Sequence, residues 1–210
     1  FVNLHYYYFD QRNHAAVSMA EINDMGVFII SPNDKGGQLF NAPQKVKDTT
    51  LPLTPIQWNA RFCMQNPAIH TLSFGITEKD HFKEMQGIFP YKLPWSEMEQ
   101  KIKLELDKYI LDDPYASYSG FDMQNDPSGI NIPAVLRLRK LWKCYDMKGY
   151  GKYRYNLFQQ KDHWFPGLLA TNENIKNIDF SKAPKNLPLK EMLEETHKAL
   201  FNYDIKIIKQ

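Results

Sequence analysis

Three stretches of the chain have the apolar composition of strands in a parallel sheet. Residues 1–10 (FVNLHYYYFD) are dense in aromatic and β-branched side chains, residues 26–31 (GVFIIS) are almost continuously apolar, and residues 70–75 (HTLSFG) form a third run. Such runs are typical of strands that are covered on both faces. We therefore predict three strands, with Asn3 and His5 on one face of the first.

Amphipathic segments separate these strands. Residues 14–25 have apolar positions at helical spacing and stop at Gly26, which suits a helix C-cap. Thr54 and Pro55 suit the N-cap and first position of another helix, and residues 77–80 (TEKD) resemble a capping box before a third. The order of three βα units predicts either a doubly wound sheet or part of a (β/α)₈ barrel.

From residue 95 onward the pattern is helical only. Ser96 and Glu99 suit a second capping box, ahead of apolar positions that step by three and four. Residues 127–136 and 184–193 repeat a turn that leads into a helix, which predicts a duplicated turn–helix unit. The helix predicted over residues 134–147 carries a basic run that we expect to be a solvated face: Arg137, Arg139, Lys140 and Lys143.

Composition narrows the function classes. The chain has 210 residues, 43% of them apolar, and its 26 basic residues are balanced by 24 acidic ones, which gives no electrostatic case for nucleic acid. No apolar run approaches the roughly 20 residues of a membrane span, so we expect a soluble protein. Cys63 and Cys144 alone build neither a disulfide framework nor a four-thiolate metal site, which favours the reducing cytoplasm. The absence of an initiator Met before Phe1 predicts a longer parent chain.

Three segments, taken in order, resemble the last strands of the aldo/keto reductase family. Residues 3–10 resemble its sixth-strand segment, and residues 26–39 (GVFIISPNDKGGQL) its seventh strand with a Ser-Pro and Gly-Gly loop. Residues 54–84 resemble the helix, eighth strand and phosphate-facing turn that follow. The resemblance implies that residues 1–92 are the C-terminal portion of a (β/α)₈ TIM barrel in an NADP-dependent oxidoreductase.

The loops of these segments have chemistry that suits a dinucleotide. Ser31 follows a strand at the face where such barrels build their sites, and Gly36 and Gly37 allow a tight turn that presents N–H groups to an anion. Gly75 and Thr77 precede a helix whose first amides favour phosphate. The alternative interpretations are that Gly36 and Gly37 form an ordinary turn, and that Thr77 only caps the helix.

The resemblance extends to particular side chains. It places Asn3 near the nicotinamide amide and His81 at the position of an adenosine-contacting Gln, while Lys79 is placed to meet a 2′-phosphate. Asn3 could equally bond inside the barrel, and Lys79 could be a solvated surface lysine. The predicted cofactor-binding residues are Asn3, Ser31, Gly36, Gly37, Gly75, Thr77, Lys79 and His81.

The chain also departs from the family. Ile30 stands where an aromatic ring often stacks on nicotinamide, and Met85 where an Asn commonly ends the phosphate motif. The family's catalytic Asp, Tyr, Lys and His all come from earlier strands, so no catalytic residue is expected here, and Tyr6, Tyr7 and Tyr8 lie on the wrong strand for that role. A complementary N-terminal half or a partner chain would have to supply the four catalytic residues. The substrate of the complete enzyme would be a small carbonyl compound. The alternative is a non-catalytic binding or assembly module.

Residues 93–210 resemble the ferredoxin-like helical domain that follows the barrel in one branch of the family. Two runs of the form C-x₂-C-x₂-C-x₃-C-P hold its iron–sulfur clusters. No cysteine stands at any of the eight corresponding positions, so we predict a degenerate domain without a cluster, held together by aromatic packing. The eight positions are Ala116, Ser119, Asp122, Asp126, Glu173, Lys176, Asp179 and Ala183.

Overall fold

A computed structural model describes residues 1–34, 37–157 and 165–203. The chain divides into two compact units, Phe1–Asp107 and Lys108–Gln210. The functional division predicted at residue 92 stays a prediction. Within the described ranges, no helix is both long and apolar enough to cross a membrane.

The first unit is α/β and contains a three-stranded parallel sheet. Its strands run in the order β1-β2-β3, with helices between and after them. The elements, in chain order, are β1 (Val2–Leu4), α1 (His14–Ile22), β2 (Val27–Ile30), α2 (Gln44–Thr50), α3 (Pro55–Met64), β3 (Ile69–Ser73), α4 (Lys79–Gln86) and α5 (Glu97–Lys108).

The two faces of the sheet differ in burial. Val27 and Ile29 in the central strand are buried, whereas Phe28 and Ile30 on the opposite face are only half-buried. Asn3 pairs in register with Phe28 and is exposed. Crossovers between neighbouring parallel strands are nearly always right-handed, and with a sequential strand order such crossovers place the connecting helices on one face. One face is therefore covered within this unit, and the face with Asn3, Phe28 and Ile30 is more open.

The first strand is shorter than the sequence pattern predicts. The prediction ran over residues 1–10, but only Val2–Leu4 pairs in the sheet. Beyond it the chain folds back, and Tyr7 and Asp10 exchange two backbone hydrogen bonds of 3.1 and 2.9 Å. The side chains from Tyr6 to Phe9 are all buried, so they lack the alternation of a strand with one open face.

One helix boundary differs from prediction, and one helix was not predicted. The first helix ends at Ile22, because Asp24 adopts the left-handed conformation (φ 52°) that was expected of Gly26. The loop before Thr54 contains α2, which the sequence pattern did not reveal. The predicted cap at Thr54 is confirmed: its side chain accepts from the Gln57 amide at 3.2 Å, and the Gln57 side chain accepts from the Thr54 amide at 3.1 Å.

The second unit contains helices joined by turns and loops, with no strand among its described residues. Its helices are α6 (Ile132–Tyr145), α7 (Lys148–Tyr155), α8 (Asn172–Ile175) and α9 (Leu189–Leu200). Both copies of the predicted turn–helix unit lead into helices, α6 and α9, which confirms this part of the repeat. Tyr145, Tyr155 and Phe165 are buried in its core, whereas Tyr153 is 41% exposed. Phe158 and Trp164, two further aromatics expected to pack here, lie outside the described residues.

The predicted solvated face of α6 is wrong at Arg139, and the other three basic residues of the run are half-buried. Arg139 is buried and forms ion pairs with Asp113 and with Glu195, the latter at 3.4 Å. Lys143 also pairs with Glu195. A guanidinium can be buried when carboxylates from other segments lie against it. The partners are 26 and 56 residues away in sequence, so helical spacing alone could not reveal them.

Candidate functional site

The candidate site lies where the three parallel strands end. Strands that run in the same direction finish at the same edge of a sheet, so the segments after β1, β2 and β3 meet there. These segments hold Tyr7, residues 31–34 and residues 74–77. Polar side chains and turns that are distant in sequence are thereby brought together.

The turn after β2 has an unusual backbone. Ser31 and Asp34 both adopt positive φ, 54° and 60°, and Gly37 follows with φ 68°. A left-handed conformation is uncommon for a residue with a side chain and persists where surrounding contacts hold it. The Ser31 amide donates to the Ser73 carbonyl at 3.0 Å, and the Asn59 side chain donates to the Pro32 carbonyl. The turn is therefore held from β3 and from α3.

Asn33 links this turn to the segment after β3. The Asn33 side chain is buried and donates to the Gly75 carbonyl at 2.8 Å. The Asn33 backbone carbonyl accepts from the Leu39 amide at 3.1 Å. The loop after β2 is thus fixed to the segment that leads into α4. Neither Asn33 nor this contact was anticipated from the sequence, because the partners are 42 residues apart.

A second buried contact joins the segment after β1 to the same turn. The Tyr7 hydroxyl donates to Asp34 Oδ1 at 2.6 Å, and both residues are buried. Sequence reasoning set Tyr7 aside as a catalytic group and did not consider it as a support for the turn. The neighbouring Tyr6 lies against Cys63, whose thiol contacts the Tyr6 carbonyl at 3.4 Å. Burial, and then the proximity of Cys63, raise the pKa of the Tyr6 hydroxyl, which makes it a poor proton donor.

The start of α4 differs in detail from the predicted capping box. The helix begins at Lys79, its N-cap is Glu78, and that residue's side chain makes no cap hydrogen bond. Thr77 is therefore one residue before the cap, and its amide donates to His81 Nδ1 at 3.4 Å. Lys79 is exposed in the first turn, where a positive side chain adds to the positive end of the helix dipole.

The glycines of the loop have distinct surroundings. The Gly37 amide donates to the Asp34 carbonyl at 2.9 Å, and a Cβ at Gly37 would lie 3.1 Å from the Phe40 ring. Gly36 lies outside the described residues. At Gly75 a Cβ would meet nothing within 4 Å, so this residue borders open space.

The structure thus gathers most of the predicted residues at one edge. Ser31, Gly37, Gly75, Thr77, Lys79 and His81 lie on the two adjoining loops and on the start of α4. Asn3 lies on β1, on the more open face of the sheet, and shares that face with Ile30. Whether any of these residues contacts a cofactor stays a prediction.

The second unit has a polar junction at Asp126 and Asp179, two of the eight positions where the sequence comparison with the ferredoxin-like domain found no cysteine. Asp126 is buried; its Oδ1 accepts from the Ser128 amide at 2.9 Å and its Oδ2 from the Asp179 amide at 3.0 Å. The two loops that contain Asp126 and Asp179 are therefore joined by a carboxylate. Hydrogen bonds from the Ser181 hydroxyl and amide lower the pKa of Asp179. Among described residues, no group of three or more His, Cys, Asp or Glu side chains could hold a metal ion.

In comparisons with known proteins, no family model, curated protein or solved structure matches the chain.

Proposed function

We propose that the first unit binds the phosphate-bearing end of NADP(H) as part of an aldo/keto reductase-like oxidoreductase. In this proposal the parallel sheet is part of a (β/α)₈ barrel, and other polypeptide supplies the catalytic Asp, Tyr, Lys and His. The observation that carries it is the clamp from Asn33 to the Gly75 carbonyl. This clamp holds the glycine-containing loop after β2 beside the segment that starts α4, where Lys79 is exposed.

Each part of this edge suits a dinucleotide for a separate physical reason. Amides at the start of a helix have no intrahelical acceptors and lie at the positive end of the helix dipole. Lys79 adds a full positive charge within the first turn of α4. Parallel α/β folds bind ligands at the carboxyl ends of their strands, the edge at which all these groups lie.

Titration with NADPH and with NADH tests the cofactor assignment. We expect Lys79→Ala to weaken NADPH binding about tenfold and NADH binding little, because only NADPH carries the 2′-phosphate that the ammonium would pair with. The matched control is Lys83→Ala, one turn further along α4, whose side chain is exposed and pairs with Asp80 at 3.0 Å. If the wild-type protein binds neither nucleotide, or if Lys83→Ala has the same effect, the assignment is wrong.

Hydride transfer needs a separate test, because binding does not establish catalysis. We expect NADPH oxidation with an aldehyde substrate only when the polypeptide that carries the four catalytic residues is present. Persistent NADPH fluorescence in that complete assembly, with a panel of aldehydes and ketones, would reject the oxidoreductase role.

A non-catalytic assembly module is the second candidate, favoured by the incomplete cover of the sheet. Parallel sheets are ordinarily buried on both faces, yet Phe28 and Ile30 are half-buried and Asn3 is exposed. Both edge strands also lack a further strand among the described residues. Native mass spectrometry distinguishes the cases: a heteromeric complex that binds no nucleotide favours the module. A monomer near 24.7 kDa would contradict any role that needs a second chain.

For the second unit we propose a helical scaffold that no longer holds an iron–sulfur cluster. The absence of cysteine from all eight corresponding positions supports this, because cluster iron requires thiolate ligands. Protein expressed with added iron and sulfide should contain no stoichiometric iron. A stoichiometric value, with visible charge-transfer absorption, would contradict the proposal.

A further inference from the structure

Arg154 is a buried cation in the second unit. It lies near the end of α7 and is only 9% exposed. Its Nη1 nitrogen is buried and donates to no acceptor among the described residues. No carboxylate in the described part of the chain forms an ion pair with Arg154. The guanidinium has therefore been taken out of water without an anionic partner.

The contrast with Arg139 shows what Arg154 lacks. Arg139, on α6, is 6% exposed, and both Asp113 and Glu195 lie against it. A guanidinium keeps its positive charge in proteins, and burial of a charge is strongly unfavourable unless a counter-ion accompanies it. The described part of the second unit provides two carboxylates for one buried arginine and none for the other.

An aromatic ring covers part of the Arg154 side chain. The Arg154 Cζ lies 5.0 Å from the centre of the Phe165 ring, and Phe165 is buried as well. A ring face attracts a cation, but it has no oxygen or nitrogen atom that could accept from an N–H group. The contact with Phe165 therefore accounts for part of the burial and leaves the Nη1 hydrogens without an acceptor.

A second guanidinium lies close to the same face of α7. Tyr150 precedes Arg154 by four residues, so the two side chains lie on one face of the helix. Arg137, on α6, donates to the Tyr150 hydroxyl from both of its terminal nitrogens at 3.5 Å. Arg137 is half-buried. Two positive charges thus lie on either side of Tyr150, where α6 packs against α7.

We propose that Arg154 binds a small oxyanion, either a phosphate or a carboxylate, within the second unit. Such an ion accepts two parallel hydrogen bonds from a planar guanidinium, and Nη1 supplies a donor that is otherwise unused. The oxyanion has the role for Arg154 that Asp113 and Glu195 have for Arg139. Arg137 adds a further positive charge that favours the anion. This site is separate from the nucleotide site proposed for the first unit.

Calorimetric titration of the full chain with sodium phosphate and with sodium acetate, at constant ionic strength, tests the site. The wild type should bind at least one of the two saturably, and the salt that binds identifies the class of oxyanion. Arg154→Met should weaken that binding at least about tenfold, because it removes a charged donor. The matched control is Lys152→Met, an exposed cation on the same helix, which should bind like the wild type. Lack of saturable binding by the wild type, or equal binding by the two variants, would overturn the proposal.

Thermal denaturation without added oxyanion gives a check that needs no ligand. Arg154→Met should be at least as stable as the wild type, because the substitution removes a buried charge that has no partner. Arg139→Met should be clearly less stable, because it leaves Asp113 and Glu195 without their cation. If Arg154→Met unfolds as readily as Arg139→Met, or fails to fold, Arg154 has a partner within the chain and the proposal is wrong.

An NMR titration of the wild-type protein locates the bound ion. The oxyanion that binds in calorimetry should shift the Nε–H signal of Arg154 and the ring signals of Phe165. If these signals stay unchanged while the ion binds saturably, the ion occupies another part of the chain, and the assignment to Arg154 is overturned.

Discussion

The Tyr7 hydroxyl lies 2.6 Å from Asp34 Oδ1, and this buried hydrogen bond connects the segment after β1 to the turn after β2. Asp34 is held in a left-handed conformation with φ 60°. The contact therefore supports a strained turn at the edge where the predicted cofactor residues gather, although neither residue is among them.

Tyr7→Phe should destabilise the first unit by about 1–3 kcal/mol, because it removes a donor from a buried carboxylate without changing the shape of the ring. Chemical denaturation measures this. Tyr8→Phe is the matched control: its hydroxyl donates to Asp107 at 2.8 Å, but that carboxylate is partly exposed and also pairs with Lys103. A Tyr8→Phe variant that loses as much stability as Tyr7→Phe would contradict the special role of the Asp34 contact.

Glu99 should make the stability of the first unit depend on pH below about 4.5. Burial raises the pKa of its carboxyl, but hydrogen bonds from Ser96 and from Arg61, together with the Arg61 charge, outweigh burial and lower that pKa below its usual 4.5. As pH falls, the unfolded state takes up the proton first, so the free energy of unfolding decreases until the folded pKa is passed. Urea denaturation at several pH values should show this decrease in the wild type and a flatter profile in Glu99→Gln.

Breaking the buried ion pair between Arg61 and Glu99 should strongly reduce the stability of the first unit. The side chains are 11% and 3% exposed, and Arg61 also donates to the carbonyls of Ile88 and Pro90 at 3.0 Å each. Arg61→Met should cost about 3–5 kcal/mol, because it leaves a buried carboxylate without its cation. Thermal denaturation of Arg61→Met, Glu99→Gln and the double variant provides the check; additive losses would show that the two side chains are not coupled.

His197 should make the stability of the second unit depend on pH, in a range nearer neutrality than that of Glu99. Burial lowers the pKa of its ring below 6.5, and the ring lies 3.0 Å from the Tyr155 hydroxyl and stacks on Phe201. The unfolded state therefore binds a proton first as pH falls below 6.5, and stability declines until the folded pKa is passed. His197→Gln removes this titration and should flatten the stability profile between about pH 7 and 5. Parallel profiles for variant and wild type would contradict the assignment.

Asp126→Ala should destabilise the second unit by about 1–3 kcal/mol, because the amides of Ser128 and Asp179 lose their acceptor together. Asp122→Ala is the control, since Asp122 is an exposed aspartate four residues earlier in the chain. Equal small losses in the two variants, measured by urea denaturation, would show that the carboxylate does not join the loops.

The sequence by itself determined the elements whose signals are local. The apolar run of β2, the Thr54 cap before α3 and the turns that lead into α6 and α9 were all predicted, because strand composition, capping and turn chemistry depend on neighbours within a few residues. The absence of cysteine at eight positions is likewise a property of the sequence. The candidate site could be predicted only as a set of loop residues, and its cofactor still depends on a resemblance.

Tertiary structure alone decided which of these residues meet. The Tyr7–Asp34 and Asn33–Gly75 contacts join residues 27 and 42 positions apart, and Arg139 is buried because Asp113 and Glu195 pack against it. Such proximity follows from strand order and helix packing, which local periodicity does not specify. The shortening of β1 has the same origin, since packing buries residues 6–9 on all sides and removes them from the sheet. Local sequence therefore determines the helices and strands, whereas their packing determines which side chains meet at the candidate site.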